Sequence, residues 1–195
     1  QELNIRAFGK EDEARIIRQL EADGDVIIQL VAEMEDRIVG HILFYSLGVR
    51  GRLGCAGLGP MSVDPWVQKE GVGKQLVTQG LAMLREAGCS IVFVLGHEWY
   101  YPKFGFNLEA TEPFQSVYKG PHFFAVRLRG GPYAALIVRE GRDLALGPGR
   151  EVRELHGPGR EAARVVVEHV QVLERHVVHV LALGLPVVLE PVGVE

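Results

Sequence analysis

The stretch Met61-Ser62-Val63-Asp64-Pro65-Trp66-Val67-Gln68-Lys69-Glu70-Gly71-Val72-Gly73-Lys74 runs from a short apolar strand, through a proline, to a glycine pair heading an amphipathic helix. Gly71 and Gly73 have no Cβ, so backbone N–H groups there can approach a ligand closely. The first turn of a helix leaves its N–H groups without intrahelical partners, and the helix dipole favours an anion beside them. The pattern predicts a loop that cradles a pyrophosphate.

The flanking sequence supplies a βαβ unit around this loop. Val72, Leu76, Val77, Leu81, Leu84 and Ala87 fall at the three- and four-residue spacings of one buried helix face. Lys74, Gln75, Gln79, Arg85 and Glu86 occupy the other face, and Gly88 provides the stop. Ile91-Val92-Phe93-Val94-Leu95 then reads as a strand buried on both sides.

Three phosphate loops compete for this pattern. A Walker loop needs Gly-x-x-x-x-Gly-Lys-Ser/Thr, but Gln68 replaces its first glycine and Gln75 its hydroxyl. A Rossmann fingerprint needs a third glycine where Leu76 stands, and an acid where Leu95 and Gly96 stand. The acetyl-coenzyme A loop, Gln/Arg-x-x-Gly-x-Gly/Ala, is matched by Gln68, Gly71 and Gly73. The spacing alone leaves a plain glycine-rich turn into a helix open as well.

A second motif follows the second strand: Tyr100-Tyr101-x-x-Phe104-Gly105-Phe106, preceded by Phe93-Val94-Leu95-Gly96. With Leu58-Gly59-Pro60-Met61-Ser62-Val63 and the Gln68–Gly73 loop, the chain resembles the GNAT superfamily of acyl-CoA N-acyltransferases, in its YhbS-like subgroup. Asp12-Glu13-Ala14 and Val39-Gly40-His41 share the likeness, which runs from about residue 5 to about residue 128. The resemblance implies an α+β GNAT fold. Its mixed twisted sheet has a central parallel strand pair that splays apart, with flanking helices.

The same resemblance implies site roles. Main-chain groups of Met61, Ser62 and Val63 would hold the pantetheine arm of acetyl-CoA as an added strand. Gln68, Lys69, Gly71, Val72, Gly73 and Lys74 would hold its pyrophosphate. Gly57 and Gly59 would form the bulge that opens the gap. Tyr101, four residues before Gly105, would be the acid that protonates the departing thiolate. Relatives often carry a glutamate base on the strand before the loop, but residues 52–60 contain no carboxylate. Glu98 and His97 are the remaining candidates. Glu70 departs from the usual glycine or basic residue and repels a pyrophosphate locally, with Lys69 and Lys74 to offset it.

The expected activity is transfer of an acetyl group from acetyl-CoA to a primary amine of a small molecule or peptide by direct attack. The alternative is a non-catalytic acyl-CoA or metabolite binding module of the same fold. Composition agrees with either. A net charge of −4 and a pI near 6.0 argue against a nucleic-acid partner. No apolar run reaches the about 20 residues that span a bilayer, and no signal peptide is visible. Cys55 and Cys89 read as free thiols of a reducing, cytoplasmic compartment. A homodimer is a candidate assembly, and no metal is expected.

Periodicity predicts helices over residues 2–8 and 10–22, ended at Gly24, and strands over 26–32 and 38–45 joined by a turn from Glu33 to Arg37. Further strands are expected over 54–63, 104–108 and 122–128. Compared with the family, the chain lacks a first strand, and its opening Gln1 suggests truncation; another segment is then needed to cover the bared edge. The domain is placed at 1–130, followed by an atypical extension at 131–195. That extension holds fourteen valines and no Ser, Thr, Lys, Asn, Phe, Trp, Met or Cys. This usage resembles a GC-rich sequence read in an unintended frame. Within it, residues 133–138 suit a strand, and 160–183 suit either a helix or, by their valines, strands. On a helix His169, His176 and His179 would share one face, most simply as a solvent or interface stripe.

Overall fold

The computed structural model describes residues 3, 6, 12–49, 52–128, 153–154, 164–170, 180–182, 185–187 and 190–191. Its contacts divide into two compact units. One comprises Gln1–Phe44, Pro60–Gly80 and Asp143–Val172; the other comprises Tyr45–Gly59, Leu81–Arg142 and Leu173–Glu195.

The first unit opens, within the described residues, on helical Leu3 and Arg6 and then helix α1 (Asp12–Ala22). Ala14, Ile17 and Leu20 of α1 are buried, at the three-residue spacing of one helix face. Gly24, at φ 73°, ends the helix as expected, because a left-handed turn there costs glycine little. Strand β1 (Val26–Met34) returns into strand β2 (Arg37–Val49). The expected five-residue turn narrows to Glu35-Asp36, both at positive φ (48° and 57°). That geometry matches the twist of two antiparallel strands, so the ladder extends to Met34.

The free edge of β1 is covered. Strand β8 (Arg164–Val170) lies antiparallel to it from Ile28↔Val170 to Glu33↔Arg164, with a register shift between Gln29 and Leu30. Strand β7 (Arg153–Glu154) pairs in turn with β8, giving the order β2-β1-β8-β7 in this unit. The valine run therefore forms a strand over 164–170. His169 is in that strand. His176, His179 and residues 133–138 lie outside the described residues.

Strand β3 (Arg52–Val63) and helix α2 (Val72–Glu86) each run through both units. In the first unit α2 packs on β2 at Gly40: a Cβ there would stand 2.8 Å from Val72 Cγ1 and 3.0 Å from Leu76 Cδ1. Gly80 likewise leaves room for the Phe44 ring. Two apposed small positions let helix and sheet approach closely.

In the second unit the order is β6-β4-β3-β2, with β4 (Ile91–Leu95) parallel to β3 and antiparallel to β6 (Phe123–Arg127). Leu47, Ile91, Phe93, Ala110, Phe123 and Ala125 form its core, with Tyr45, Cys55, Phe114 and Tyr118 packed against them. Phe93 stacks on Phe123 at 5.7 Å and meets Phe114 edge-on at 4.9 Å. Short pairs β9 (Val180–Ala182) with β10 (Leu185–Val187), and β5 (Phe114–Gln115) with β11 (Glu190–Pro191), complete the described strands.

The strand expected over 104–108 does not form. Phe104 ends a 3-10 helix (Tyr101–Phe104), and Gly105 turns left-handed at φ 88°. Pro102 lacks the N–H that a ladder needs and its fixed φ suits the helical turn. Asn107 alone bridges Ala125, while its side chain accepts from the Ala110 N–H at 2.8 Å and starts the next turn. Both cysteines are free thiols, Cys55 half-buried and Cys89 buried. Burial pushes their pKa values up, to about 11 and about 12.

Candidate active site

The expected pantetheine and pyrophosphate residues sit together in the first unit. Met61, Ser62 and Val63 close strand β3, with Ser62 buried and its neighbours half-buried. The chain then turns at Asp64, whose N–H donates to the Val39 carbonyl at 2.8 Å and whose carbonyl accepts from Val67 N–H at 3.0 Å. The buried Asp64 carboxylate also accepts from Arg6 Nε at 3.0 Å. Pro65 opens the short 3-10 helix Pro65–Val67, where its missing N–H costs nothing.

Gln68 does something the spacing does not reveal. Its amide Nε2 donates to the Val63 carbonyl at 3.1 Å, tying the loop back to the end of β3. Gln68 thus braces the turn. Lys69 at φ 68° and Gly71 at φ 95° then reverse the chain, and α2 starts at Val72. Its first internal bond is Gln75 N–H to Gly71 carbonyl at 3.1 Å. The N–H groups of Val72, Gly73 and Lys74 therefore precede any intrahelical acceptor. A Cβ built on Gly71 meets nothing within 4 Å, so the space beside the loop is open. Open space, small residues and first-turn amides fit a diphosphate. Lys69, Glu70 and Lys74 are exposed around it.

The parallel pairing of β3 with β4 runs from Cys55↔Ile91 to Leu58↔Val94 and stops there, although β3 continues to Val63 and β4 to Leu95. Gly59, next in line, has φ 139°, a conformation other residues rarely adopt. Gly57 has a different reason to be glycine from the one expected. It stays in register with Phe93, and an added Cβ would overlap the Tyr45 ring. Of the glycine pair, Gly59 alone marks the irregularity.

The expected catalytic groups belong to the second unit. After β4, Gly96 N–H donates to the His122 carbonyl at 2.9 Å. His97 and Glu98 are exposed on the following turn, and the His97 ring stacks on Trp99 at 5.3 Å. Tyr101 is 8% exposed and lies over Gly96, where any Cβ would strike its ring. It meets Tyr100 and Phe106 edge-on at 5.3 and 5.6 Å. Burial, with a smaller effect from Tyr100, raises its pKa above the ordinary phenol value, so it is protonated at neutral pH.

The first unit also holds a polar contact between buried His41 and half-buried Gln29. His41 Nε2 lies 3.1 Å from the Gln29 side-chain nitrogen, and His41 is 6% exposed. Its alternation with Val39 and Leu43 on a strand reads simply as core, so no sequence signal marks it.

The sequence profile described as the Acetyltransferase (GNAT) family matches residues 2–106. The chain belongs to the GNAT family. Its fold is accordingly the α+β GNAT fold, with β3 and β4 as the parallel pair. It is 40% identical over 111 residues to the uncharacterized N-acetyltransferase YjhQ of Escherichia coli (strain K12), covering 54% of this chain. The match spans 61% of YjhQ, about three fifths of that relative's length. Identity to the uncharacterized N-acetyltransferase YhbS of the same strain is 33% over 117 residues, 59% of this chain and 70% of YhbS. The crystal structure of YhbS in complex with CoA superposes with a TM-score of 0.61 at 32% identity, covering 66% of this chain and 73% of that one. A GNAT family acetyltransferase from Brucella melitensis, in complex with acetyl-CoA, gives 0.56 at 32% identity, covering 66% and 79%.

Among the described residues, no helix of this GNAT chain is long and apolar enough to cross a membrane. No group of three or more His, Cys, Asp or Glu among them could hold a metal ion.

Proposed function

We propose that this GNAT chain transfers an acetyl group from acetyl-CoA to a primary amine of a small molecule or peptide. The observation that carries this reading is the end of the β3–β4 pairing at Leu58↔Val94, beside Gly59 at φ 139°. In the proposed complex an extended ligand bonds to main-chain groups of the strand beyond that point, as in strand addition. The open first-turn amides beyond Gly71 support a role in holding the diphosphate. Complexes of YhbS with CoA and of the Brucella protein with acetyl-CoA support the choice of cosubstrate.

In the proposed reaction the amine nitrogen attacks the thioester carbonyl carbon, the C–S bond breaks, and coenzyme A leaves as thiolate. A backbone N–H near Gly59 would stabilise the oxyanion, a type of donor worth about 3–4 kcal/mol. Tyr101 is the proposed partner of the departing sulfur. Thiols are ordinarily stronger acids than phenols, so a phenol of raised pKa gives up its proton to a thiolate only uphill. Its contribution is then chiefly a hydrogen bond to the developing negative charge. Glu98 is the proposed acceptor of the amine's proton. Its exposure suits delivery through water.

The test is release of free thiol from acetyl-CoA with a panel of small-molecule and peptide amines. Amine-dependent release is expected. Saturable acetyl-CoA binding with no release for any amine would instead favour a binding module.

A further inference from the structure

The first unit contains a cavity of about 980 Å³ lined by Arg18, Gln29, Arg37, His41 and Trp66, with Glu21 and Asp36 also on its wall. Small-molecule sites fall at about 300–1,000 Å³. Among the described residues, Arg18 and Arg37 enter no ion pair, and both are exposed. Their charges are available to a ligand.

His41 supplies the independent observation. The Gln29 amide nitrogen faces its Nε2 at 3.1 Å, and an N–H donates to a ring nitrogen only through a lone pair. In this arrangement the ring proton is on Nδ1. That atom is buried and has no hydrogen-bond partner among the described residues. An unmade bond of this kind leaves a buried donor without compensation for its lost hydration. A ligand oxygen would relieve it once the ring turns, and that turn exchanges the Gln29 contact for the ligand.

We infer that this cavity binds a small zwitterion, a free amino acid or a compound like one. Its carboxylate meets the Nδ1–H of His41 and the guanidinium groups of Arg18 and Arg37, and its ammonium meets Glu21 and Asp36. Asp64 and Arg6, also on the wall, pair with each other at 3.0 Å. The mixed charge that Arg18, Arg37, Glu21 and Asp36 add selects for both ends of such a molecule, since a simple anion would meet carboxylates as well as guanidinium groups. The inference requires no acyl transfer and stands or falls apart from the transferase reading.

The experiment is titration of the full chain, without acetyl-CoA, with L-leucine, L-leucinamide and N-acetyl-L-leucine. Binding is read by calorimetry and by the ring resonances of His41. Leucine is expected to bind saturably at millimolar concentration or below, and each analogue, lacking one charge, about tenfold more weakly. The His41 resonances move with leucine. Arg37→Ala, a change at an exposed position, weakens leucine about tenfold, and His41→Gln abolishes the preference for leucine over leucinamide. Absence of saturable leucine binding, equal binding of all three compounds, or unchanged affinity in Arg37→Ala overturns the inference.

Discussion

Tyr101 holds its place through Gly96, because any side chain at 96 would occupy the space of the ring. That constraint fixes the place of the ring. Tyr101→Phe keeps the ring and removes only the hydroxyl, so it separates packing from chemistry. Turnover is expected to fall by about a hundredfold with acetyl-CoA affinity unchanged. Steady-state kinetics together with calorimetry check this, and unchanged turnover removes Tyr101 from the mechanism. His41 makes a second prediction. Burial lowers its pKa from 6.5 to about 4. The unfolded chain therefore binds a proton that the folded chain refuses, and stability falls as pH drops from about 6.5 toward about 4. The loss over that window is about 3 kcal/mol. Urea unfolding of the wild type and of His41→Gln at both ends of the window should differ by that amount. Parallel pH profiles would contradict the assignment.

At the scale of elements, the hairpin between β1 and β2 places Glu35 and Asp36 at positive φ. Replacing them with Asn-Gly, which adopts that turn without strain, should stabilise the chain by about 1 kcal/mol, measured by chemical denaturation. A destabilised variant would mean the side chains serve the turn in another way. The β8 strand makes a different prediction. With β2 on one side and β8 on the other, amides from Ile28 to Glu33 should all exchange slowly with deuterium. Fast exchange at alternate positions would mean that β8 is not seated there. These elements also show what the sequence reveals. The helix at 72–86 and the strand at 91–95 were legible because apolar spacing and glycine stops agree. The need for a cover over the β1 edge was legible too. That 164–170 provides it was not, since its valines suit either conformation and pairing partners leave no local trace. The segment 104–108 misled because Phe-Gly-Phe reads as extended, while Pro102 upstream had already committed the backbone to a helical turn. Gln68 matched the motif, but its bond to Val63 depends on how the loop folds back.

For the whole molecule, membership of the GNAT family and a β3–β4 ladder that ends at Leu58↔Val94 lead to the same expectation, an acyl-CoA bound along β3. Ligand binding to the folded state alone raises its stability by mass action. Acetyl-CoA at about a hundred times its dissociation constant should add about 2.7 kcal/mol to unfolding. The most direct measurement is a crystal structure of this chain with CoA bound. The diphosphate is expected on the amides of residues 71–74, and the pantetheine arm hydrogen-bonded to main-chain groups of Met61–Val63. CoA bound elsewhere, or β3 and β4 paired through to Leu95 in its presence, would contradict it.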